Sequence, residues 1–168
     1  AKIEALDAQN LTPLHYTVEF SNFELLEYLL SLGAQTEFQD SILQFAMRCC
    51  NDSLIIKALI QTNPRLLNSV KGFLNFSSYR RMIDLMRIVI DSGKFDDISV
   101  IYIYGSTALH CVCIGTENPE MAVDAAKLLV ESGANVNVLD FWNNSPLHYA
   151  VQNSNIELVD YLQSKGAR

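Results

Sequence analysis

Thr12-Pro13-Leu14-His15-Tyr16-Thr17 and Ser145-Pro146-Leu147-His148-Tyr149-Ala150 are one phrase written twice. A third version, Thr107-Ala108-Leu109-His110-Cys111-Val112, stands between them. Each is followed by an apolar stretch that closes on a glycine, at Gly33, Gly133 and Gly166. From the leucine of the phrase to that glycine the interval is 19 residues for Leu14–Gly33 and for Leu147–Gly166, and 24 for Leu109–Gly133. The same ruler finds two weaker copies. Leu74 precedes Gly93 by 19 residues, and Ser41-Ile42-Leu43-Gln44-Phe45-Ala46 opens another copy that ends at Leu59-Ile60 and Asn63-Pro64.

Each copy reads as two helices joined by a turn. Thr12 and Ser145 offer a side-chain oxygen to the first free N–H groups of a helix. Pro13 and Pro146 follow at the first helical position, where a missing N–H costs nothing. Leu14 shares a face with Val18, and Leu147 with Val151. Asn22 and Asn155 restart the chain as caps of a second helix, whose apolar pairs Leu25-Leu26 and Leu29-Leu30 recur at helical spacing. Gly33, Gly93, Gly133 and Gly166 supply the left-handed residue that ends it. Helices this short are unstable alone, so each pair must be buried by stacking on its neighbours.

These residues resemble the ankyrin repeat family, whose T-P-L-H-x-A signature is matched best at Thr12–Thr17 and Ser145–Ala150. An Asp lies five residues before the Thr or Ser, at Asp7 and Asp140. The family's Gly two residues before it is present at Gly105 and replaced by Asn10 and Asn143, which also reach positive φ. The resemblance implies an all-α solenoid of helix-turn-helix pairs with short β-hairpin fingers. It also implies that the three histidines tie neighbouring turns together by hydrogen bonds. Five repeats follow, at about 7–39, 40–68, 69–101, 102–139 and 140–168, as one domain cut from a longer protein.

Departures from the pattern are informative. The second repeat has Gln44 in place of His, and only 29 residues separate Leu14 from Leu43, which shortens its finger. The third opens on Gly72-Phe73-Leu74-Asn75, with no capping Thr, no Pro and no His, and is expected to open first. The fourth carries extra residues around Gly115-Thr116-Glu117-Asn118. There Asn118 and Pro119 read as the cap and first position of a longer second helix, ending near Ser132.

Composition narrows the function. Of 168 residues 49% are hydrophobic and 18% charged, a globular balance, and the net charge is −7. An acidic chain repels phosphate backbones and anionic membranes, and Arg80-Arg81 is the only adjacent basic pair. No segment approaches the roughly 20 apolar residues of a membrane span, and no signal peptide opens the chain. The four cysteines, Cys49, Cys50, Cys111 and Cys113, fall in apolar helical patterns and read as reduced core thiols of a cytoplasmic or nuclear protein. No metal-ligand spacing, nucleophile motif or phosphate loop is present, so neither enzyme activity nor a cofactor is expected.

Protein binding remains, and exposed aromatics point to where. Tyr102, Tyr104, Phe141 and Trp142 fall where the family forms finger tips. Counting along the first helices places Phe20, Tyr79, Arg80 and Gln152 on the concave face. Large aromatics on a rigid surface make binding hot spots. The expected partner of this monomeric module is another protein, with nucleic acid and membrane excluded. The expected role is that of an adaptor or scaffold; the alternative is a small ankyrin regulatory subunit or inhibitor of a protein kinase. Asn137, three residues before Asp140, matches the finger position that an asparaginyl hydroxylase modifies in some ankyrin proteins.

Overall fold

The computed structural model describes residues 3–37, 42–50, 52–69, 72–80, 82–92, 103–115 and 119–168. Among these residues ten α-helices form, and the chain divides into two compact units, Ala1–Lys71 and Gly72–Arg168.

The first unit holds α1 (Pro13–Glu19), α2 (Phe23–Ser31), α3 (Ile42–Cys49) and α4 (Ser53–Thr62), followed by a 3-10 helix at Pro64–Ser69. α1 packs on α2 and on α3, α4 packs on α2 and α3, and the 3-10 helix lies on α4. The second unit holds α5 (Phe73–Tyr79), α6 (Ile83–Asp91), a 3-10 turn at Ile103–Gly105, α7 (Ala108–Ile114), α8 (Pro119–Glu131), α9 (Pro146–Gln152) and α10 (Ile156–Ser164). Here α5, α7 and α9 form one row and α6, α8 and α10 a second row against it. Each pair buries its apolar stripe on the next: Leu85, Met86 and Val89 of α6, then Ala122, Ala125, Ala126 and Leu129 of α8, are fully buried. Removing a leucine-sized side chain from water contributes about 1.5–3 kcal/mol, which is what holds helices of seven to nine residues in shape.

The local chemistry follows the expected caps. Thr12, Thr107 and Ser145 each open a helix through a capping box in which the histidine three residues on takes the part usually played by Glu. The imidazole Nδ1 accepts the cap residue's backbone N–H at 3.1 Å in all three. Asn22 and Asn155 cap α2 and α10 by accepting the N–H of Leu25 and Leu158. Asp52 does the same for α4. The extra residues of the fourth repeat lead into a 13-residue α8 that begins at Pro119; Asn118 lies outside the described residues.

The third repeat is held differently. Gly72 caps α5 in the left-handed conformation (φ 76°) with no side-chain hydrogen bond, and Met82 caps α6 with none either. α5 nevertheless forms, with Phe73, Leu74, Asn75, Ser77 and Ser78 buried. Asn75 occupies the position that His110 holds one repeat later. Its Nδ2 donates to the carbonyl of Ser106 at 3.2 Å, and His110 Nε2 donates to the equivalent carbonyl of Asn144 at 3.1 Å. The tie between neighbouring turns therefore survives in the repeat that lacks the histidine.

Among the described residues the fingers close as turns, and the one β-bridge position is Glu37. Asp7 Oδ1 accepts the N–H groups of Gln9 and Leu11, and Asp140 Oδ1 those of Trp142 and Asn144. The other carboxylate oxygen accepts a tyrosine hydroxyl nine residues on, from Tyr16 and Tyr149. Asn10, Gly105 and Asn143 take the left-handed position at φ 61°, 81° and 66°. Cys50, Cys111 and Cys113 are buried thiols outside any disulfide, as expected of core positions, but Cys49, the last residue of α3, is exposed.

Candidate protein-binding surface

The finger between α8 and α9 begins at Asp140, and the one before α7 ends at Gly105. Phe141 donates its backbone N–H to the carbonyl of Tyr104 at 3.0 Å, so the two tips are joined. Gly105 makes that approach feasible. A Cβ on it would lie 2.6 Å from Phe141 Cδ1 and 2.9 Å from the Phe141 nitrogen, so the Phe141 ring rests on bare backbone. The Tyr104 and Trp142 rings meet at 5.0 Å between centroids, tilted by 41°. Although packed together, Tyr104, Phe141 and Trp142 stay 61%, 76% and 58% exposed. Three of the four finger-tip aromatics expected from the sequence thus form one cluster; Tyr102 lies outside the described residues.

Tyr104 itself adopts φ 64°, ψ 23°. An aromatic side chain in the left-handed region carries roughly 1–2 kcal/mol of strain. The bond from Phe141 and the contact with Trp142 hold it there.

Electrostatics behind the cluster are set by Asp140. Burial pushes its carboxyl upward, but the Tyr149 hydroxyl and the N–H groups of Asn144 and Trp142 outweigh that, and the group titrates below its ordinary value of 3.8. It is a carboxylate at neutral pH. The Asp7 carboxyl is lowered too, first by the Tyr16 hydroxyl and then by the Leu11 N–H. His110 is shifted down from 6.5 because burial disfavours its charged form, against the opposing pull of the Asn144 carbonyl and Asp140. Its Nδ1 accepts an N–H, so the proton of the neutral ring sits on Nε2.

The concave candidates do not join the cluster. Tyr79 and Arg80 stand at the C-terminal end of α5, and Gln152 at that of α9, whereas the tips precede the N-termini of α7 and α9. Seven helical residues put these ends about 10 Å apart. Tyr79, Arg80 and Gln152 are exposed, and the Arg80 guanidinium lies 5.8 Å over the Phe76 ring. Phe20 belongs to the first unit, where it is exposed and stacked on Tyr16 at 6.4 Å. Asn153, which caps the C-terminal end of α9, is structural: its Nδ2 donates to the carbonyls of Cys113 and Ile114.

Asn137 is exposed, yet its carboxamide is engaged at both ends, donating to the Gly166 carbonyl and accepting the Arg168 N–H, each at 3.0 Å. Glu4 makes the equivalent tie in the first unit, where Oε1 accepts the Gln35 N–H. A hydroxylase would have to release both bonds to reach Asn137. The first unit also holds an open hollow of about 540 Å³ beside Thr36, Glu37, Asn63 and Arg65, spanned by bonds from Asn63 Nδ2 to Thr36 and Glu37. Among the described residues no group of three His, Cys, Asp or Glu could hold a metal ion, and no helix is long and apolar enough to cross a membrane.

Comparison with known proteins gives one consistent picture. The family model for ankyrin repeats in three copies matches residues 49–168, and the single ankyrin repeat matches residues 9–41. An ankyrin repeat protein of fowlpox virus is 31% identical over 154 residues, which are 88% of this chain and 25% of that protein. One of Acanthamoeba polyphaga mimivirus is 24% identical over 96% of this chain and 21% of that protein. An NAD-dependent deacetylase of Dictyostelium discoideum is 29% identical over 99% of this chain and 22% of its own length. The chain therefore spans about a quarter of these relatives or less. Among solved structures, an ankyrin repeat protein superposes with TM-score 0.75 at 22% identity, covering 100% of this chain and 86% of the other. The human ASB11 ankyrin repeat domain superposes with TM-score 0.74 at 21% identity, covering 100% and 75%.

Proposed function

This chain belongs to the ankyrin repeat family, whose repeats are generally interaction modules rather than catalytic ones, and from that premise we propose that it acts as the adaptor or scaffold segment of a larger protein. Its partner is another protein, held at the finger tips of the second unit and along the exposed ends of α5 and α9. The observation that carries this reading is the gathering of Tyr104, Phe141 and Trp142 into one exposed cluster. Trp and Tyr bury much area at low entropic cost, and a surface fixed by stacked helices loses little freedom on binding. The buried thiols Cys50, Cys111 and Cys113, none of them in a disulfide, suit a reducing compartment, the cytoplasm or nucleus.

The test is to isolate a partner with the native chain, map its contacts by cross-linking, and measure its affinity. Trp142→Ala and Tyr79→Ala should each weaken binding by more than about 1 kcal/mol, roughly fivefold. Cross-links that avoid both the tips and the α5 end, with affinity unchanged in both variants, would discard this surface.

A further inference from the structure

Resting on that reading, we infer that the finger-tip cluster receives an arginine side chain from an extended segment of the partner, with the guanidinium against the faces of Tyr104 and Trp142.

Ring geometry is the first support. Two rings whose centroids lie 5.0 Å apart, tilted by 41°, touch each other and leave an outward π face on each, and Phe141 lies alongside on Gly105. A planar guanidinium stacks on such faces, and the ring quadrupole attracts its charge. This aromatic platform also exists before any ligand arrives, because the Tyr104 backbone is held at φ 64° and bonded through its carbonyl to Phe141. Backbone strain at an exposed aromatic contributes nothing to the helix stack, whose buried residues lie elsewhere, but it sets the direction of the Cα–Cβ bond that carries the ring.

Charge is the second. The Asp140 carboxylate accepts the backbone N–H of Trp142 at 2.9 Å, directly behind the cluster. Its hydrogen-bond donors, the N–H groups of Trp142 and Asn144 and the Tyr149 hydroxyl, are all neutral, so its negative charge is stabilised but not cancelled. Beyond it the charge balance is acidic. Between residues 103 and 168 the chain has seven Asp and Glu against three basic residues: Lys127, which pairs with Asp124 at 3.5 Å, Lys165, which lies 5.6 Å over the Tyr161 ring, and Arg168. An acidic segment laid on the tips would be repelled, and a purely apolar one would leave this charge unanswered.

Trp142 is the chain's only tryptophan, so its emission reports on this site alone. The native chain is titrated with a tetra-arginine amide and with tetra-citrulline amide, which keeps the shape and loses the charge. Tetra-arginine should shift Trp142 emission and bind at least about fivefold more tightly than tetra-citrulline. Tyr104→Gly removes one ring while glycine takes the left-handed backbone without strain, so the fold is retained. In that variant the ratio should fall toward one. The inference is overturned if the two peptides bind the native chain equally, if neither moves the emission, or if the preference survives Tyr104→Gly, which would make it a property of the acidic body. The partner measurement with Trp142→Ala stands apart from these results: equal peptides with a surviving Trp142→Ala effect would sink the arginine assignment and leave the surface.

Discussion

The third and the last repeats solve one problem by opposite means. The last has Ser145, Pro146, His148 and the Asp140–Tyr149 clamp, and its first helix α9 buries only Pro146 and Ala150. The third has none of these, and its first helix α5 buries five of seven residues. Caps and clamps lower the cost of ordering a helix locally, whereas burial lowers it through neighbours. The difference teaches that signature residues are one way to hold a repeat in register, and that a well-buried repeat can shed them.

The comparison breaks most readily at the core leucines. Leu74 is 3% exposed, so Leu74→Ala should cost about 3 kcal/mol in urea unfolding of the whole chain. The matching Leu147→Ala, at a half-buried position, should cost about 1 kcal/mol. Equal losses would show that burial is not what separates the two repeats.

Next in size is the tie that replaces histidine. Asn75→Ala leaves the Ser106 carbonyl without its donor in a buried setting and should cost about 2 kcal/mol by the same measurement. His148→Ala removes a capping partner on an exposed helix face and should cost about 1 kcal/mol or less.

Acid sharpens the contrast further. The folded pKa of His110 is below its unfolded value, so the folded state binds fewer protons. Its contribution is complete above about pH 6.5 and is lost as pH falls from there through the lowered folded pKa. A urea-midpoint profile should therefore decline below pH 6.5, and His110→Gln should flatten that step. Asp140, lowered as well, adds a separate decline below pH 3.8.

The smallest effect is in local opening. Caps alone place the first opening in residues 70–80, whereas burial predicts that the α5 amides exchange more slowly than those of α9, by about tenfold. Native-state hydrogen exchange decides the order, and faster exchange in α5 would restore the primacy of caps.

Much of this molecule is legible in its residues because its signals are local. The repeat interval, the caps at Thr12, Thr107, Ser145, Asn22 and Asn155, and the left-handed positions at Asn10, Gly105 and Asn143 each depend on a few neighbouring residues. Asn75 was open to discovery by the same ruler, since it follows Leu74 as His110 follows Leu109. Tyr16 and Tyr149 also stood at a fixed nine residues from Asp7 and Asp140.

What the sequence by itself determined is the repeating helix pair and its need for a neighbour, because periodicity and capping act over less than ten residues. Only the tertiary structure decided that Tyr104, Phe141 and Trp142 meet while Tyr79, Arg80 and Gln152 stay at the far helix ends. It also decided that Gly105 is needed for the ring resting on it as well as for its own φ. Those facts rest on contacts between residues some 37 positions apart, such as the bond from Phe141 to Tyr104. No local pattern encodes such a contact; it exists only once stacking has set the distance between neighbouring fingers.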